Sequence, residues 1–255
     1  MPLEEVSPAV VLRTRDYSEA DRIVTLLTHD CGKLSGIAKG AKHSRRRFER
    51  KLEVFSHVMV YFRRRPQGEL VFITRAEAAH LPPFDLTDDL GKIGLASYMV
   101  ELADALSREA AESSGAYRIL TAALANLARH GAGNALRQAF ELHFLRWAGY
   151  QLEFARCRLC EALPGSNVSS FAFVPAYGGI VCHLCRARIE SPALSLSAAS
   201  TAALAQLGAA SFEAVATMPG GGNDAQVALS RFMATVLDRR LRSLDFLDSV
   251  LQLRP

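Results

Sequence analysis

The first 80 residues alternate between short apolar segments and turn-forming residues. Val, Ile, Leu and Phe dominate the apolar segments, which is typical of β-strands. The predicted strands are Ala9–Thr14, Arg22–Leu27, Lys33–Ala38, Leu52–Phe62 and Glu69–Arg75. Between them, residues 29–32 and 66–68 contain the Asp, Gly and Pro that favour turns. Because barrel closure removes exposed strand edges, this pattern predicts a small barrel such as the OB-fold, with an SH3-like barrel as the alternative.

After a breaker and capping segment at 81–89, apolar residues recur at three- and four-residue intervals. This spacing predicts amphipathic helices, of which the first three are expected to form a small bundle. The predicted helices are Leu90–Arg108, Ala116–His130, Ala135–Gly149, Ala198–Leu207, Phe212–Thr217 and Asp224–Leu241.

Two C-x-x-C pairs interrupt the helical pattern with the spacing C-x2-C-x21-C-x2-C. They are Cys157 with Cys160 and Cys182 with Cys185. Two such turns, joined by a predicted hairpin, supply the tetrahedron of thiolates found in zinc ribbons. Four thiolates leave no open position for water, so we predict one structural zinc ion per chain. The alternative is a redox dithiol or a set of unpaired thiols.

The remaining residues of this chemistry are assigned minor roles. His183, inside the second C-x-x-C turn, is interpreted as a bystander, and Cys31 has no evident partner.

The predicted strands and helices together indicate a multidomain α+β protein. Its domains are expected to be an OB-fold at 1–80, a helical bundle at 81–153, a zinc-ribbon-like module at 154–190 and C-terminal helices at 191–255 that pack on the bundle.

The chain is mildly basic overall, with 30 Lys+Arg, 26 Asp+Glu and a net charge of +4, but the positive charge is local. Residues 31–65 carry 11 basic and 2 acidic side chains, a density that favours binding of nucleic-acid phosphates without sequence reading. The alternative is a solvated surface. The predicted nucleic-acid-binding residues are Lys33, Lys39, Lys42, Arg45, Arg46, Arg47, Arg50, Lys51, Arg63, Arg64 and Arg65.

Four aromatic residues, Phe48, Phe55, Tyr61 and Phe62, lie among these charges. A ring on an open barrel face can stack on a base. For Phe55 and Phe62 we favour the alternative, that they face the barrel interior. Charge reversal at residues 45–47 is expected to weaken DNA binding and flatten its salt dependence without changing zinc content.

No nucleotide-binding loop, metalloprotease motif or nucleophile elbow occurs in the sequence. The carboxylates of Asp85, Asp88 and Asp89 are explained by helix capping. We therefore predict that the chain is not an enzyme. It also lacks a run of about 20 apolar residues and an apolar leader, which predicts a soluble, cytoplasmic protein that does not bind membranes.

Several of these segments together form a recognisable pattern. They are Val10–Thr28, Gly32–Lys42 with the basic Ser44–Arg47, the predicted helix end Leu145–Leu152, and the two cysteine pairs. On these motifs the chain resembles the RecO family of bacterial recombination mediators over essentially its full length. The resemblance implies an N-terminal OB-fold, a helical domain that carries a zinc module, and a non-enzymatic role in recombinational repair.

The resemblance also implies partners. Proteins of this family bind single- and double-stranded DNA, anneal complementary strands, and work with RecR and the single-stranded DNA-binding protein SSB to load RecA; some lack the cysteines. Recognition of the acidic, Phe-ended SSB tail would need an apolar groove near a cation. The candidates are Phe140, Phe144 and Arg146, for which ordinary core packing is an equal explanation.

Other classes of function are compatible with the residues themselves. A zinc-containing RNA-binding or ribosome-associated OB-fold protein would have the same barrel, charge and cysteines. An accessory protein of a DNA enzyme and a protein-binding scaffold are further alternatives. Strand annealing without nucleotide or divalent metal distinguishes a mediator from a scaffold.

Overall fold

The computed structural model describes residues 3–44, 46–48, 51–65, 70–79, 84–86, 89–108, 114–163 and 168–252. The chain divides into two compact units, one of residues 1–129 with 243–255 and the other of residues 130–242. The four predicted domain boundaries stay a prediction. Among the described residues, no helix combines the length and the apolar character needed to cross a membrane.

The first unit begins with a β-barrel and continues with helices. Its strands are β1 (Glu5–Asp16), β2 (Arg22–Thr28), β3 (Gly32–Ala38), β4 (His57–Arg63) and β5 (Val71–Ala78). Its helices are α1 (Leu90–Leu106), α2 (Ser114–His130, whose last residue falls in the second unit) and, at the C-terminal end of the chain, α8 (Arg242–Gln252, whose first residue falls in the second unit).

The second unit mixes helices with a small sheet. In chain order it contains α3 (Asn134–Trp147), β6 (Ser170–Val174), a 3-10 turn (Pro175–Tyr177), β7 (Gly179–Val181), α4 (His183–Arg186), β8 (Leu194–Ser197), α5 (Ala198–Ala209), α6 (Phe212–Val215) and α7 (Asn223–Val236). With the barrel, these elements confirm the predicted α+β class.

Strands β1 to β5 close into a barrel in the order β1-β2-β3-β5-β4, because β1 pairs with both β2 and β4. Neighbouring strands are antiparallel except β3 and β5, which are parallel. This is an OB-like barrel, so the predicted N-terminal OB-fold is confirmed. Gly36 lies in the parallel pair, where an added Cβ would come within 2.7 Å of the Ile73 side chain. The close approach of these strands therefore depends on glycine.

The segment before β4 differs from the predicted strand Leu52–Phe62. The strand begins only at His57, and residues 51–55 form turns that end with Phe55 at a φ of 73°. Leu52 and Phe48 are 2% and 1% exposed because they pack into the core of the barrel. Of the apolar residues that suggested a strand here, Leu52 reaches the barrel core from a loop, whereas Val54 is exposed and Phe55 is half-buried.

Helix α8 was not predicted, and it packs on α1 within the first unit. The carboxylate of Glu101 in α1 accepts hydrogen bonds from the Ser243 N–H at 2.8 Å and from the Ser243 hydroxyl at 2.6 Å. Leu247 of α8 is fully buried beside Gly94 of α1. The predicted helix Asp224–Leu241 is wrong at its C-terminal end, because Leu237 is extended and α7 ends at Val236.

In the second unit, α3 packs against α5, α6 and α7. Helix α3 ends at Trp147, two residues before the predicted end at Gly149. Gly149 has a φ of 93°, and the Tyr150 N–H donates to the Leu145 carbonyl at 2.9 Å. This is the glycine-dependent Schellman end of a helix. The predicted hairpin is present as β6 and β7, and β8 adds an unpredicted strand on the other edge of β6.

Candidate nucleic-acid interface and metal centre

A loop of residues 39–44 and 46–48, called the basic loop below, follows β3 and presents cations to solvent. The loop is anchored to the barrel, because the Ala76 N–H of β5 donates to the Arg47 carbonyl at 3.0 Å. The Arg47 guanidinium in turn donates to the Lys39 carbonyl at 2.9 Å. The side chains of Lys39, Arg46 and Arg47 are exposed, so their charges have access to phosphate groups.

Two other predicted lysines have protein partners. The Lys42 ammonium lies 2.9 Å from an Asp16 carboxylate oxygen, and this hydrogen bond lowers the pKa of Asp16. Lys33, 14% exposed, donates to the Asp104 carbonyl at 2.7 Å and lies 3.3 Å from its buried carboxylate. Lys33 therefore attaches β3 to α1, and its charge is largely balanced inside the fold.

A second basic group lies at the end of β4. Arg64 forms an ion pair of 2.9 Å with Glu5, and this hydrogen bond raises the pKa of Arg64. Arg63 approaches Glu4 at 3.8 Å, whereas Arg65 is exposed. Acidic residues at the start of β1 thus reduce the net charge of this group.

The register of β5 separates the two basic groups. Arg63 pairs with Phe72, and Arg47 bonds to Ala76, four residues further along the same strand. At about 3.3 Å per residue, the two attachment points are about 13 Å apart. Arg45 and Arg50 lie outside the described residues, and Lys51 is half-buried. Contact of the predicted residues with DNA stays a prediction.

The aromatic residues named from the sequence are not free to stack on a base. Phe48 and Phe62 are buried in the barrel core, as expected for Phe62. Phe55 is half-buried in a turn, so its expected place on a strand is wrong. The Tyr61 ring is covered by the Arg75 guanidinium, 3.5 Å from the ring centroid.

Sequence reasoning missed Tyr17, which is 63% exposed in the turn between β1 and β2. Arg15, also unassigned from the sequence, is exposed at the end of β1. The available signal was the Ser and Asp content of residues 16–21, which marks a turn, but exposure of a ring cannot be read from such a pattern.

The four paired cysteines converge in the second unit. The Sγ atoms of Cys157, Cys160, Cys182 and Cys185 all lie within 4.8 Å of one another, and those of Cys160 and Cys182 are 3.7 Å apart. Tetrahedral zinc with Zn–S bonds of about 2.3 Å requires sulfur separations of about 3.8 Å, so the donor set fits this ion. His183 is exposed and does not belong to the cluster.

Backbone hydrogen bonds shape the two cysteine turns. The Cys182 N–H donates to the Cys157 Sγ at 3.3 Å, and the Glu161 N–H donates to the Cys157 carbonyl at 2.9 Å. Burial raises the pKa of the Cys157 thiol, but amide donors outweigh it and lower this pKa to about 6. Hydrogen bonds with Cys160 and Cys182 raise the pKa of Cys185 to about 12. The clustered thiols therefore differ in how readily they lose a proton. A metal ion that bound all four sulfur atoms would displace the remaining protons.

The predicted groove residues separate into core and surface. Phe140 and Phe144 are fully buried in the second unit, with ring centroids 5.3 Å apart. Arg146, two residues after Phe144 in α3, is exposed and lines an open cavity of about 210 Å³. The cavity, called the α3–α5 cavity below, is lined by Leu142, Arg146, Tyr150, Gln151, Leu152, Glu153, Phe154, Ala155, Leu204, Ala205 and Gly208.

Comparison with known proteins covers both units. A family model described as "Recombination protein O N terminal" matches residues 1–82, and one described as "Recombination protein O C terminal" matches residues 87–245. A "DNA repair protein RecO" from Anaeromyxobacter sp. (strain Fw109-5) is 35% identical over 248 residues, which are 94% of each chain.

Two further relatives carry the same description. The protein from Myxococcus xanthus (strain DK1622) is 35% identical over 250 residues, covering 95% of this chain and 96% of its own. The protein from Roseiflexus sp. (strain RS-1) is 32% identical over 249 residues, covering 96% of this chain and 85% of its own. With an OB-like barrel, a four-cysteine cluster and this extent of similarity, the chain belongs to the RecO family of DNA repair proteins.

Proposed function

We propose that this chain is a recombination mediator that binds single- and double-stranded DNA, anneals complementary strands, and with RecR helps to load RecA onto SSB-coated DNA. The observation that carries the proposal is the basic loop, with exposed Lys39, Arg46 and Arg47 on an OB-like barrel in a RecO family chain. Residues 1–80 are proposed as the DNA-binding domain of a nucleoid-associated, cytoplasmic protein.

Annealing by such a surface needs no bond chemistry. Two DNA strands repel each other through their phosphates, and cations that bind both strands reduce this repulsion and release counterions. Guanidinium groups suit this task because they stay charged and bind phosphate oxygens in pairs. The protein therefore acts as a binding surface in this proposal, not as an enzyme.

We propose that Cys157, Cys160, Cys182 and Cys185 hold one structural zinc ion. The cluster beneath them is small: Cys157, Val174 and Val181 form its buried core, with partly buried residues packed around them. So small a core supplies little folding free energy to the cysteine turns, and metal binding would add to it. In this arrangement the zinc organises residues 154–190 and does not react.

The α3–α5 cavity is proposed as the site of the SSB tail, in place of a groove formed by Phe140 and Phe144. Its volume of about 210 Å³ exceeds the roughly 150 Å³ that accommodates a benzene ring in an engineered cavity. Leu142, Leu152 and Leu204 offer an apolar wall for the terminal Phe, and exposed Arg146 offers a cation for its carboxylate.

Substitution tests the tail proposal. Arg146→Glu should weaken binding of a short acidic peptide that ends in Phe, and amidation of that peptide should weaken binding to the parent protein. Arg231→Glu, at an exposed position of α7, is the matched control and should bind the peptide normally. Equal peptide affinity of the Arg146→Glu variant and the control would remove the cavity from the proposal.

The central experiment is annealing of SSB-coated complementary strands with and without the full chain, in the absence of nucleotide and divalent metal. We expect acceleration that requires the protein and decreases with salt. No acceleration would reject the mediator function. Comparison of DNA and RNA oligomers of equal length at one salt concentration tests the alternative, because an RNA-binding protein would prefer the RNA.

A further inference from the structure

The barrel exposes one aromatic ring that none of the roles above explains. Tyr17 is 63% exposed in the turn between β1 and β2, and its side chain has no ring contact or hydrogen bond with the described part of the chain. The rings of Phe48 and Phe62 are buried, and that of Tyr61 lies under Arg75. An exposed tyrosine alone is unremarkable, so its surroundings decide what it can do.

The turn that carries Tyr17 has a fixed backbone. The Tyr17 N–H donates to the Asp21 carbonyl at 3.0 Å, and the Ser18 hydroxyl oxygen accepts from the Asp21 N–H at 3.1 Å. A ring on such a turn has little freedom beyond its two side-chain torsions. Binding to its face therefore costs little conformational entropy.

The same turn is attached to the basic loop. The Gly40 N–H donates to the Asp21 carboxylate at 2.8 Å, and the Lys42 N–H donates to the Ala20 carbonyl at 3.1 Å. The Lys42 ammonium also lies 2.9 Å from Asp16, at the end of β1. These contacts hold the Tyr17 ring and the exposed cations of the basic loop on neighbouring segments.

Acidic residues of the turn do not cancel this arrangement. Asp16 forms ion pairs with Lys42 and Arg22, and the Asp21 carboxylate accepts a hydrogen bond from the Gly40 N–H. Both carboxylates therefore connect the turn region to the basic loop. Asp16 nevertheless stays exposed at the end of β1, and Glu19 is exposed in the turn. The exposed cations on these two segments are Arg15 at the end of β1 and Lys39, Arg46 and Arg47 of the basic loop.

We propose that Tyr17 is a base-stacking platform that gives the barrel a preference for single-stranded over duplex DNA. The inference rests on the proposed function, because it assumes that the basic loop binds DNA phosphates. Cations attract both kinds of DNA, but only an unpaired strand presents the face of a base to a protein ring. The β1–β2 loop is also one of the segments through which OB-folds contact oligonucleotides.

The test compares wild-type full-length protein with Tyr17→Ala and Tyr17→Phe on three probes at one salt concentration. The probes are an oligothymidine, an abasic strand of the same length, and a duplex. Tyr17→Ala should bind oligothymidine about tenfold more weakly, the effect of losing one stacked base. It should bind the abasic strand and the duplex as the wild type does. Tyr17→Phe keeps the ring and should restore oligothymidine binding.

Tyr177→Ala removes another exposed tyrosine, from the 3-10 turn of the second unit, and should leave all three affinities unchanged. Equal weakening of all probes by Tyr17→Ala would indicate damage to the loop, and no weakening would indicate a bystander; either result overturns the stacking role. Failure of the wild-type protein to bind any probe would instead reject the proposed function, and the stacking role with it.

Discussion

Replacement of the exposed guanidinium groups of the basic loop should weaken DNA binding and reduce its dependence on salt. Arg46 and Arg47 are exposed, and reversal of both charges by Arg46→Glu with Arg47→Glu should reduce the affinity for single-stranded DNA by about tenfold or more. Each lost phosphate contact lowers the slope of log K against log salt by about 0.7, so the slope should fall by about 1.4. A salt titration of oligomer binding measures both quantities.

Arg118→Glu provides the control, because Arg118 is exposed on α2 of the same unit. It changes net charge as a single reversal does but lies outside the basic loop. Because Arg47 also donates to Lys39, the Arg46→Glu single variant separates phosphate contact from loop damage. Identical slopes for the double variant and wild type would remove the basic loop from the DNA interface.

A buried histidine makes the stability of the first unit depend on pH. His57 Nε2 lies 2.6 Å from the Tyr117 hydroxyl, Phe84 stacks on the ring, and its Nδ1 has no partner among the described residues. Burial lowers the pKa of His57 and raises that of Tyr117 to about 12.

The direction of this pH dependence follows from the linkage between proton binding and folding. An unfolded histidine titrates near a pKa of about 6.5, above that of folded His57, so the unfolded state takes up more protons as the pH falls. The stability from neutral His57 is complete above pH 6.5 and declines below it. The denaturant concentration at the unfolding midpoint should therefore decrease when the pH is lowered from 7.5 to 5.5. His57→Gln should make this decrease smaller. His143→Gln, in the second unit, tests the other histidine whose pKa burial lowers. An undiminished decrease in His57→Gln would contradict the prediction.

Local spacing and tertiary exposure explain which residues the sequence revealed. The four cysteines were identifiable because each pair lies within one turn of chain, and their thiols do converge. Lys33 and Tyr17 were not, because a charge run gives no indication of which member faces a buried Asp104, nor does a turn indicate which ring stays exposed.

Among secondary-structure elements, strands and helices with a regular apolar period were predictable and those defined by distant contacts were not. The predicted bounds of β2 and β3 agree with the structure to within one residue at both ends of each strand. Residues 52–56 were wrongly predicted as strand because the apolar Leu52 reaches the barrel core from a loop. Helix α8 was not predicted, because the apolar pattern of α7 continues past Leu237, where the backbone is extended. The helix that follows is held by its contact with α1, which is distant in sequence.

The contact of α8 with α1 should contribute measurable stability. Leu247 is fully buried, so Leu247→Ala should lower the free energy of unfolding of the first unit by about 2–4 kcal/mol through lost burial and a cavity. Phe246→Ala is the control within the same helix, and since this ring is 42% exposed, its loss should cost less. Urea denaturation followed by circular dichroism measures both. A smaller loss for Leu247→Ala than for Phe246→Ala would show that α8 contributes little through this face.

At the scale of the whole molecule, the net charge of +4 is an average over parts with different roles. The barrel carries the concentrated positive charge, and the four-cysteine cluster lies in the other unit. The sequence indicated this contrast because charge and cysteine spacing are local properties. It did not indicate that the chain returns to its first unit after residue 242, because that grouping arises from packing of segments far apart in sequence.

This division predicts that loss of metal affects one unit selectively. Wild-type protein prepared without chelator in zinc-replete medium should contain one zinc per chain by elemental analysis, and Cys160→Ser should contain little or none because a tetrahedral site loses a ligand. The second unit should then melt at a lower temperature, since the small core around Cys157 and Val174 cannot replace the metal. Binding of single-stranded DNA by the barrel should persist. Cys31→Ser removes a cysteine outside the cluster and should keep its zinc. Zinc-free wild-type protein, or full zinc content in Cys160→Ser, would exclude the four-thiolate site.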